Sequence, residues 1–222
     1  MINQTCFAVK ELKIGVINIP PFGIAEDLKH GIHYDFISKL LSKMKIRFDI
    51  DFYPYSRAVN SIENGTLDLS IFFKRDDPGN MIEVCKTFGF ENLILSKNKV
   101  NSIANLEMRS VAIIRNAKYE SNFDKNSKIK KIQTENYVQS LKLLILNRVD
   151  AVIIPAPAYY FYKKSMELDK NDVKLQFVLN KKYNYIYAKK SINPVLIEQI
   201  KLENDFLIKN KYDEDLLVLY GK

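Results

Sequence analysis

Metal-binding and redox-active side chains are scarce in this sequence. Its 222 residues include no tryptophan, two cysteines and two histidines. His30 and His33 lie three positions apart in a predicted loop, with no third metal ligand near them, so neither a metal site nor another cofactor is predicted. Cys6 and Cys85 have no histidine or cysteine at metal-ligand spacing. They fit either two small buried side chains or a disulfide, which would require an oxidising compartment.

Long apolar runs are also missing. The longest, such as Leu143–Leu146 and Ala151–Ala158, fall far short of the about 20 residues that a helix needs to cross a bilayer. The first residues do not combine a basic segment with a long apolar one, so no signal peptide is visible. Met1 followed by polar Asn3-Gln4-Thr5 fits a start added to a trimmed mature chain, and it fits a cytosolic start equally well.

The basic residues form no dense arm and no arginine-rich helix. Lysine and arginine number 34 against 26 for aspartate and glutamate, which gives a net charge of +8. No nucleic-acid-binding motif accompanies them, so we interpret them as solvated surface and expect no nucleic acid partner. They occur singly and in short pairs such as Lys163-Lys164, Lys181-Lys182 and Lys189-Lys190.

What the sequence does contain is a regular alternation of strand-like and helix-like segments. Its composition, 47% hydrophobic and 27% charged, is typical of globular proteins. The helical spacing of Ile37, Leu40, Leu41 and Met44 predicts a helix with Asp35 as its N-cap. Strands are predicted over Leu12–Ile17, Arg47–Tyr53, Leu67–Phe73, Ser110–Ile114, Ile129–Ile132 and Asp150–Ile154, and further helices over Arg57–Glu63, over Val138–Leu146 and from Asn193-Pro194 onward.

One structural unit occurs twice, about 80 residues apart. Asn64-Gly65-Thr66-Leu67-Asp68 links a helix to a buried strand, and Asn147-Arg148-Val149-Asp150 does the same in the second unit. Two βαβαβ units predict an α/β fold of two lobes, each a mostly parallel sheet flanked by helices.

Two extended segments, near residues 90–97 and 183–189, are suited to carry the chain from one lobe to the other and back. Lobe 1 is predicted to comprise residues 1–93 and 187–222, and lobe 2 residues 94–186. The helix that follows Asn193-Pro194 should pack back on lobe 1. Two crossings form a hinge, so the lobes are expected to enclose a cleft that can close.

Several short motifs follow one another along the chain. They are Ile19-Pro20-Pro21-Phe22, Gly31-Ile32-His33-Tyr34-Asp35, Pro54-Tyr55-Ser56-Arg57-Ala58, Asn64-Gly65-Thr66-Leu67-Asp68, Arg115-Asn116-Ala117, Arg148-Val149-Asp150-Ala151, Asn193-Pro194 and Tyr220-Gly221. Their order and spacing resemble the type-2 periplasmic solute-binding proteins of the bacterial family 3 group, which serve mainly polar amino-acid ABC transporters. The resemblance covers nearly the whole chain and implies the same two-lobed, hinged fold.

The chain departs from that family at two positions. Amino-acid binders of the family commonly grip the ligand α-carboxylate with an arginine about twelve residues after the lobe-1 aspartate, and counting from Asp68 this position holds Asn80. An acidic residue after the lobe-2 strand commonly receives the α-ammonium group, and counting from Asp150 this position holds Pro155. These departures put binding of a standard α-amino acid in doubt.

Candidate binding residues follow the strands, because open α/β sheets bind ligands beyond the carboxyl ends of their strands. Arginines around one cleft would suit an anionic ligand, and aromatic side chains would provide walls. Arg57 could equally brace a loop, and Lys74 and Arg75 could pair with Asp76-Asp77. The predicted ligand-binding residues are Phe22, Tyr55, Arg57, Phe72, Lys74, Arg75, Arg115, Asn116 and Pro155, with no catalytic residue among them.

The resemblance implies an extracytoplasmic or periplasmic binding component of an ABC transporter, acting as a monomer with a membrane permease as partner. Its ligand would be a small polar solute, such as an amino acid or a related carboxylate. A ligand-sensing module for a signalling partner is the alternative. A dehydratase-type enzyme on the same fold would need an acid or base in the cleft, and no glutamate or histidine follows a predicted strand, so no enzymatic activity is expected.

Overall fold

The computed structural model of the chain describes residues 11–26, 28–169 and 172–221. Cys6 lies outside these residues, so its pairing with Cys85 stays a prediction. Cys85 is half-buried on a strand, where burial and the nearby Asp205 carboxylate raise the pKa of its thiol to about 12.

Strands and helices alternate along the described residues, as the apolar patterns predict. The strands are β1 (Leu12–Ile17), β2 (Phe48–Tyr53), β3 (Leu69–Phe73), β4 (Met81–Ser96), β5 (Ser110–Ile114), β6 (Lys130–Thr134), β7 (Ala151–Pro155) and β8 (Lys174–Lys189). The helices are α1 (Ile32–Lys43), α2 (Tyr55–Glu63), α3 (Ser121–Asp124), α4 (Tyr137–Ile145), α5 (Ala156–Ser165), α6 (Pro194–Lys209) and α7 (Tyr212–Gly221), with a short 3-10 turn at Ile103–Leu106.

The eight strands form one sheet in the order β2-β1-β3-β8-β4-β7-β5-β6. β1 pairs in parallel with β2 and β3, and β5 pairs in parallel with β6 and β7. We call β1–β3 with α1 and α2 the first half, and β5–β7 with α3, α4 and α5 the second half. The mixed α/β class predicted from the sequence is confirmed.

The connection between the halves differs from the prediction of two separate sheets. β4 and β8 are strands of 16 residues that pair with each other in antiparallel fashion from Met81 and Lys189 to Ser96 and Lys174. One end of this pair bonds to β3, through β8, and the other bonds to β7, through β4. The crossing segments are therefore longer than predicted, because each satisfies its backbone groups against the other instead of running free between the halves.

The two repeated aspartates perform the same task in the two halves. The Lys13 N–H donates to Asp68 Oδ2 at 2.7 Å, and the Ser110 N–H donates to Asp150 Oδ2 at 2.7 Å. In both cases the aspartate N–H donates back to the carbonyl of the same partner. Burial alone would raise the pKa of Asp150, but the hydrogen bonds from the Ser110 N–H and hydroxyl outweigh it and lower the pKa. Each aspartate thus ties the start of its buried strand to the neighbouring parallel strand.

Helix α1 begins earlier than predicted. It starts at Ile32 after Gly31, so Asp35 lies in its first turn and is not the N-cap. Gly31 has φ of +128°, and a Cβ there would lie 2.7 Å from the Phe22 carbonyl oxygen, so this position requires glycine. Because the backbone conformation of Gly31 sets this helix start, no capping side chain marks it in the sequence.

Of the last two helices, only α7 has its main contacts with both halves. Helix α6 begins as predicted at Pro194, with the Asn193 side chain accepting a hydrogen bond from the Val195 N–H, and it packs on β4 and α1. Its Glu203 pairs with Lys43 of α1 at 2.6 Å. Helix α7 packs on α1 of the first half and on α5 of the second. Within the described part of the chain, no helix has the length and apolar character required to cross a membrane.

The buried aspartate supports a stability prediction. Replacing Asp68 by alanine removes the acceptor for the Lys13 N–H and the partner of the Lys189 ammonium, which lies 2.6 Å away. We expect the free energy of unfolding to fall by about 1–3 kcal/mol in urea denaturation, because a part-buried N–H and an ammonium group both lose their partner. The exposed Asp49→Ala substitution is the control and should change it by less than about 0.5 kcal/mol. Equal effects of the two substitutions would contradict this role.

Candidate functional site

A small cavity lies where the first half faces the second. Its volume is about 40 Å³. Its first-half walls come from the segment after β1, from α1 and α2 and from the end of β3, and its second-half walls come from the segments after β5 and β6. The lining residues are Ile17, Ile19, Phe22, His33, Tyr55, Phe72, Phe73, Ile114, Ala117, Tyr119, Tyr137 and Asn184.

The start of α1 places His33 in this cavity. The Ile32 N–H donates to the Pro21 carbonyl at 2.9 Å and the His33 N–H donates to the Phe22 carbonyl at 2.8 Å. These bonds hold the first turn of the helix against the segment that follows β1. The His33 ring therefore packs against Phe22, with 5.1 Å between ring centroids, and against Phe88 at 5.7 Å.

His33 is one of a few described residues with buried, unpaired side-chain polar atoms. Its side chain is buried, and neither Nδ1 nor Nε2 has a hydrogen-bond partner in the structure. Burial lowers its pKa from the ordinary value of 6.5 to about 3. The ring is therefore neutral at physiological pH, and a neutral imidazole offers one donor and one acceptor.

Aromatic rings supply most of the first-half wall. Phe72 stacks on Tyr187 with 4.3 Å between centroids and an interplanar angle of 6°, and Tyr55 meets Phe72 edge-on at 6.2 Å. Phe22 packs on Phe90 at 5.4 Å. These contacts hold the rings in fixed orientations around the cavity.

Two tyrosines close the cavity from the second half. The Tyr119 hydroxyl accepts a hydrogen bond from the Ile114 N–H at 3.2 Å, and it also interacts with the hydroxyl of Tyr137. Burial raises the pKa of both hydroxyls, so both stay protonated. Among the residues that line the cavity no carboxylate or ammonium group is present.

Charged side chains collect at the rim instead. Arg75 lies beside the Tyr55 hydroxyl, whose pKa is raised by burial and lowered to a lesser extent by this guanidinium. Arg75 and Lys118 line the same two rim pockets, of about 220 Å³ and about 190 Å³, so the two halves each contribute a cation there. Carboxylates line these pockets too: Asp76, Asp77 and Asp124 in the first and Glu63 in the second. Burial lowers the pKa of the neighbouring Lys182, and the charges of Arg75 and Lys118 lower it further, against the opposing effect of Asp124 and Asp76.

Five of the nine predicted ligand-binding residues lie at this site. Phe22, Tyr55 and Phe72 line the cavity, and Arg75 and Asn116 lie at its rim. The Arg75 Nε donates to the Asp77 backbone carbonyl at 3.3 Å, so the predicted pairing with the aspartate run involves backbone and not a carboxylate.

The other four predicted residues do not line the cavity. Arg57 is exposed on α2, with its guanidinium 5.7 Å from the centre of the Tyr53 ring, and it lines a separate surface pocket. Lys74 pairs with Glu83 at 3.5 Å, and Arg115 pairs with Glu135 at 2.8 Å. Pro155 is buried at the end of β7, before the first turn of α5.

Sequence reasoning missed His33, Tyr119, Tyr137, Asn184 and Lys118. The sequence pattern predicts that α1 begins after Asp35 and so places His33 in a loop, whereas α1 begins at Ile32. Tyr119 and Lys118 follow the end of β5 by only a few residues. A search that extended further past the end of each strand would have included them. Nothing in the sequence pattern marks Asn184, which lies within the long strand β8.

Asn80 does not line the cavity either. Its side-chain amide donates to the Glu63 backbone carbonyl at 2.9 Å, and the residue is exposed just before β4. The position at which the family commonly carries its carboxylate-binding arginine is thus occupied by an exposed amide.

Comparison with known proteins supports the fold. No protein-family model matches the chain, and no curated protein matches it. The structure is similar to the GluR0 ligand-binding core in complex with L-glutamate, with a TM-score of 0.84 and 17% identity over 97% of this chain and 100% of that one. It is also similar to a histidine kinase sensor domain with similarity to periplasmic binding proteins, with a TM-score of 0.82 and 12% identity over 95% and 96% of the two chains.

A third similar structure is the substrate-binding protein of an amino acid ABC transporter, with a TM-score of 0.78 and 14% identity over 95% of this chain and 99% of that one. The fold is therefore periplasmic-binding-protein-like. At these identities the likeness shows the fold, and at that level it confirms the resemblance found in the sequence motifs.

The buried imidazole predicts a specific pH dependence of stability. His33 binds a proton below about pH 3 in the folded state but near 6.5 when unfolded, so the unfolded state binds more protons between these values. Stability should fall as the pH drops from 6.5 towards 3, by up to about 1.4 kcal/mol per pH unit from this residue. The measurement is urea unfolding of the wild type and His33→Phe at pH 7 and pH 4.5. The wild type should lose more free energy of unfolding between pH 7 and pH 4.5 than His33→Phe does. Equal losses in the two proteins would contradict the buried neutral state.

Proposed function

We propose that this chain binds a small polar solute carrying a negative charge in the cleft between its two halves and performs no chemistry on it. The observation that carries the proposal is that Arg75 and Lys118 come from opposite halves and line the same rim pockets. Carboxylates line these pockets as well, so an anionic ligand would bind the two cations in competition with them. A ligand held at the rim would contact both halves at once and so favour their closure.

Cations from both halves offer an anion a binding site at the rim. Burial lowers the pKa of Lys182, the charges of Asp124 and Asp76 oppose that effect, and the smaller repulsion from Arg75 and Lys118 adds to it. The Lys182 ammonium also donates to the Lys118 backbone carbonyl, which brings the two lysines together. A carboxylate between the halves would bind the guanidinium fork of Arg75 in bidentate fashion.

The size of the cavity supports a closing cleft. Pockets for small molecules usually measure about 300–1,000 Å³, whereas the cavity between the halves measures about 40 Å³. We infer that the solute enters a more open form, in which residues 1–93 with 187–222 move as one lobe and residues 94–186 as the other. β4 and β8 would form the hinge, since they are the strands that join the two halves.

The groups that line the cavity favour binding over catalysis. A dehydratase-type enzyme would need a group that exchanges protons near neutral pH. The lowered pKa of His33 and the raised pKa values of Tyr55, Tyr119 and Tyr137 keep these side chains in single protonation states. These protonation states support a cleft that recognises its ligand without transforming it.

Delivery to a transporter and sensing are both consistent with this fold. We propose the extracytoplasmic binding component of an ABC transporter, a monomer that delivers its solute to a membrane permease, because a similar structure is the substrate-binding protein of an amino acid ABC transporter. The sensing alternative is supported by the histidine kinase sensor domain, whose similarity covers 95% of this chain. Co-purification with a permease or with a kinase would separate them.

Ligand binding supplies the direct test. A thermal-shift panel of L-amino acids, monocarboxylates, dicarboxylates, polyamines and small sugars should show stabilisation by carboxylates. Arg75→Ala should weaken the carboxylate that binds best by about 10- to 100-fold in calorimetric Kd, because a charge-assisted bidentate contact is lost. The matched control is Arg57→Ala, an exposed arginine outside the cavity, which should leave Kd unchanged.

Stabilisation by polyamines alone would refute an anionic ligand. If no compound in the panel binds, the proposed function itself is refuted. Equal losses in the two arginine variants would place the anion elsewhere on the surface.

A further inference from the structure

We propose that His33 forms a hydrogen bond with an uncharged polar group of the ligand, and that the ligand is a flat, largely apolar carboxylate carrying that group. This inference rests on the proposed function, since it concerns the cavity behind the same cleft. It concerns the part of the ligand inside the cavity, whereas the proposed function concerns the charged end that Arg75 and Lys118 would bind.

The first step is the unpaired state of His33. Buried polar groups in folded proteins almost always have a hydrogen-bond partner, and a group that lacks one lowers stability. His33 is 3% exposed and both ring nitrogens lack a partner, yet the ring lines an open cavity. A polar atom that enters the cavity would therefore form the hydrogen bond that the ring lacks.

The second step is the charge of that partner. The ring is packed against Phe22 and Phe88, and the titratable groups that share its cavity are the hydroxyls of Tyr55, Tyr119 and Tyr137. No described carboxylate or ammonium lies among the cavity-lining residues, so a charge placed there would be left without a counter-ion. A hydroxyl, carbonyl or amide matches the donor and acceptor of a neutral imidazole.

The third step is the shape of the ligand body. Phe22, Phe72, Phe73 and Tyr55 line the cavity from the first half, and Tyr119 and Tyr137 face them from the second. Planar rings on both sides of a closing cleft favour a flat body that can stack between them. A highly hydrated sugar or a short zwitterion would leave its polar groups unpaired against these walls.

Matched pairs of aromatic carboxylates test the inference. The probes are benzoate with para-hydroxybenzoate, and phenylacetate with para-hydroxyphenylacetate, so each pair differs by one uncharged hydroxyl. In calorimetry with the wild-type chain, the hydroxylated member of at least one pair should bind about tenfold or more tightly than its partner. His33→Phe should reduce that difference to about twofold or less by weakening the hydroxylated probe alone, whereas His30→Gln should preserve it.

A second readout addresses the ring directly. Nitrogen NMR of the imidazoles should show a shift of the His33 ring nitrogens when the hydroxylated probe is added, and a smaller shift with its partner. This measurement needs no variant, so it stays informative even if His33→Phe folds poorly.

The two proposals fail in different ways. If carboxylates of the wider panel bind through Arg75 but no aromatic pair binds, or if both members of a pair bind equally and the His33 nitrogens do not shift, the function stands and this inference is wrong. Equal affinities together with unshifted nitrogens would mean that water alone satisfies the ring. If no carboxylate binds at all, the proposed function fails first.

Discussion

The backbone pairing of β4 with β8 is the constraint on which the arrangement of the two halves depends. Each of these 16-residue strands extends from the part of the sheet near β3 to the part near β7, and the two are hydrogen-bonded to each other along their whole length apart from a few register shifts. The register shift between Lys86 and Gly89 interrupts the ladder near the middle of the pair. A paired ribbon bends more readily at such an irregularity than along a regular ladder, which suits a hinge.

The pairing of β4 with β8 sets the positions of the parallel strands on either side of it. β8 holds β3, which holds β1, and β4 holds β7, which holds β5. The carboxyl ends of β1 and β3 therefore face those of β5 across the cleft, in agreement with the rule that ligands bind at the carboxyl ends of such strands. Asp68 and Asp150 fix the opposite ends of the same strands. One motif thus specifies the register in both halves, while the loops at the other ends remain free to vary.

The contrast between regular elements and the loops that follow them explains what could be predicted from the sequence. The strands and helices follow apolar patterns, and the repeated aspartates identify the two units, so the α/β class and the order of elements were predictable. Phe22, Tyr55 and Phe72 lie at or just beyond strand ends, so the strand-end rule accounts for their place beside the cavity. Arg57 and Arg115 satisfied the same rule, but a position along the chain does not specify whether a long side chain turns into the cleft or outward to solvent.

His33 and Lys118 were missed for a different reason. The start of α1 depends on the +128° φ of Gly31 and on its close approach to Phe22, and neither is visible as a side-chain pattern. Lys118 gains its place at the rim only because the two halves come together there. Local patterns specify elements well, and contacts between distant segments, which decide the site, are specified by the packing of the whole fold.

Under the proposed closure, the unpaired imidazole provides a physical basis for selectivity. His33 would be buried in the closed form whether or not a ligand is present, and burial without a partner disfavours that form. A ligand can shift an equilibrium only by the difference between its affinities for the two forms. A ligand with only a carboxylate would engage the half-buried Arg75 and the exposed Lys118, which would reach an anion in the open form too. Under the proposal, a ligand that also pairs with His33 gains a contact available only after closure, so the buried neutral group would determine which anions close the cleft.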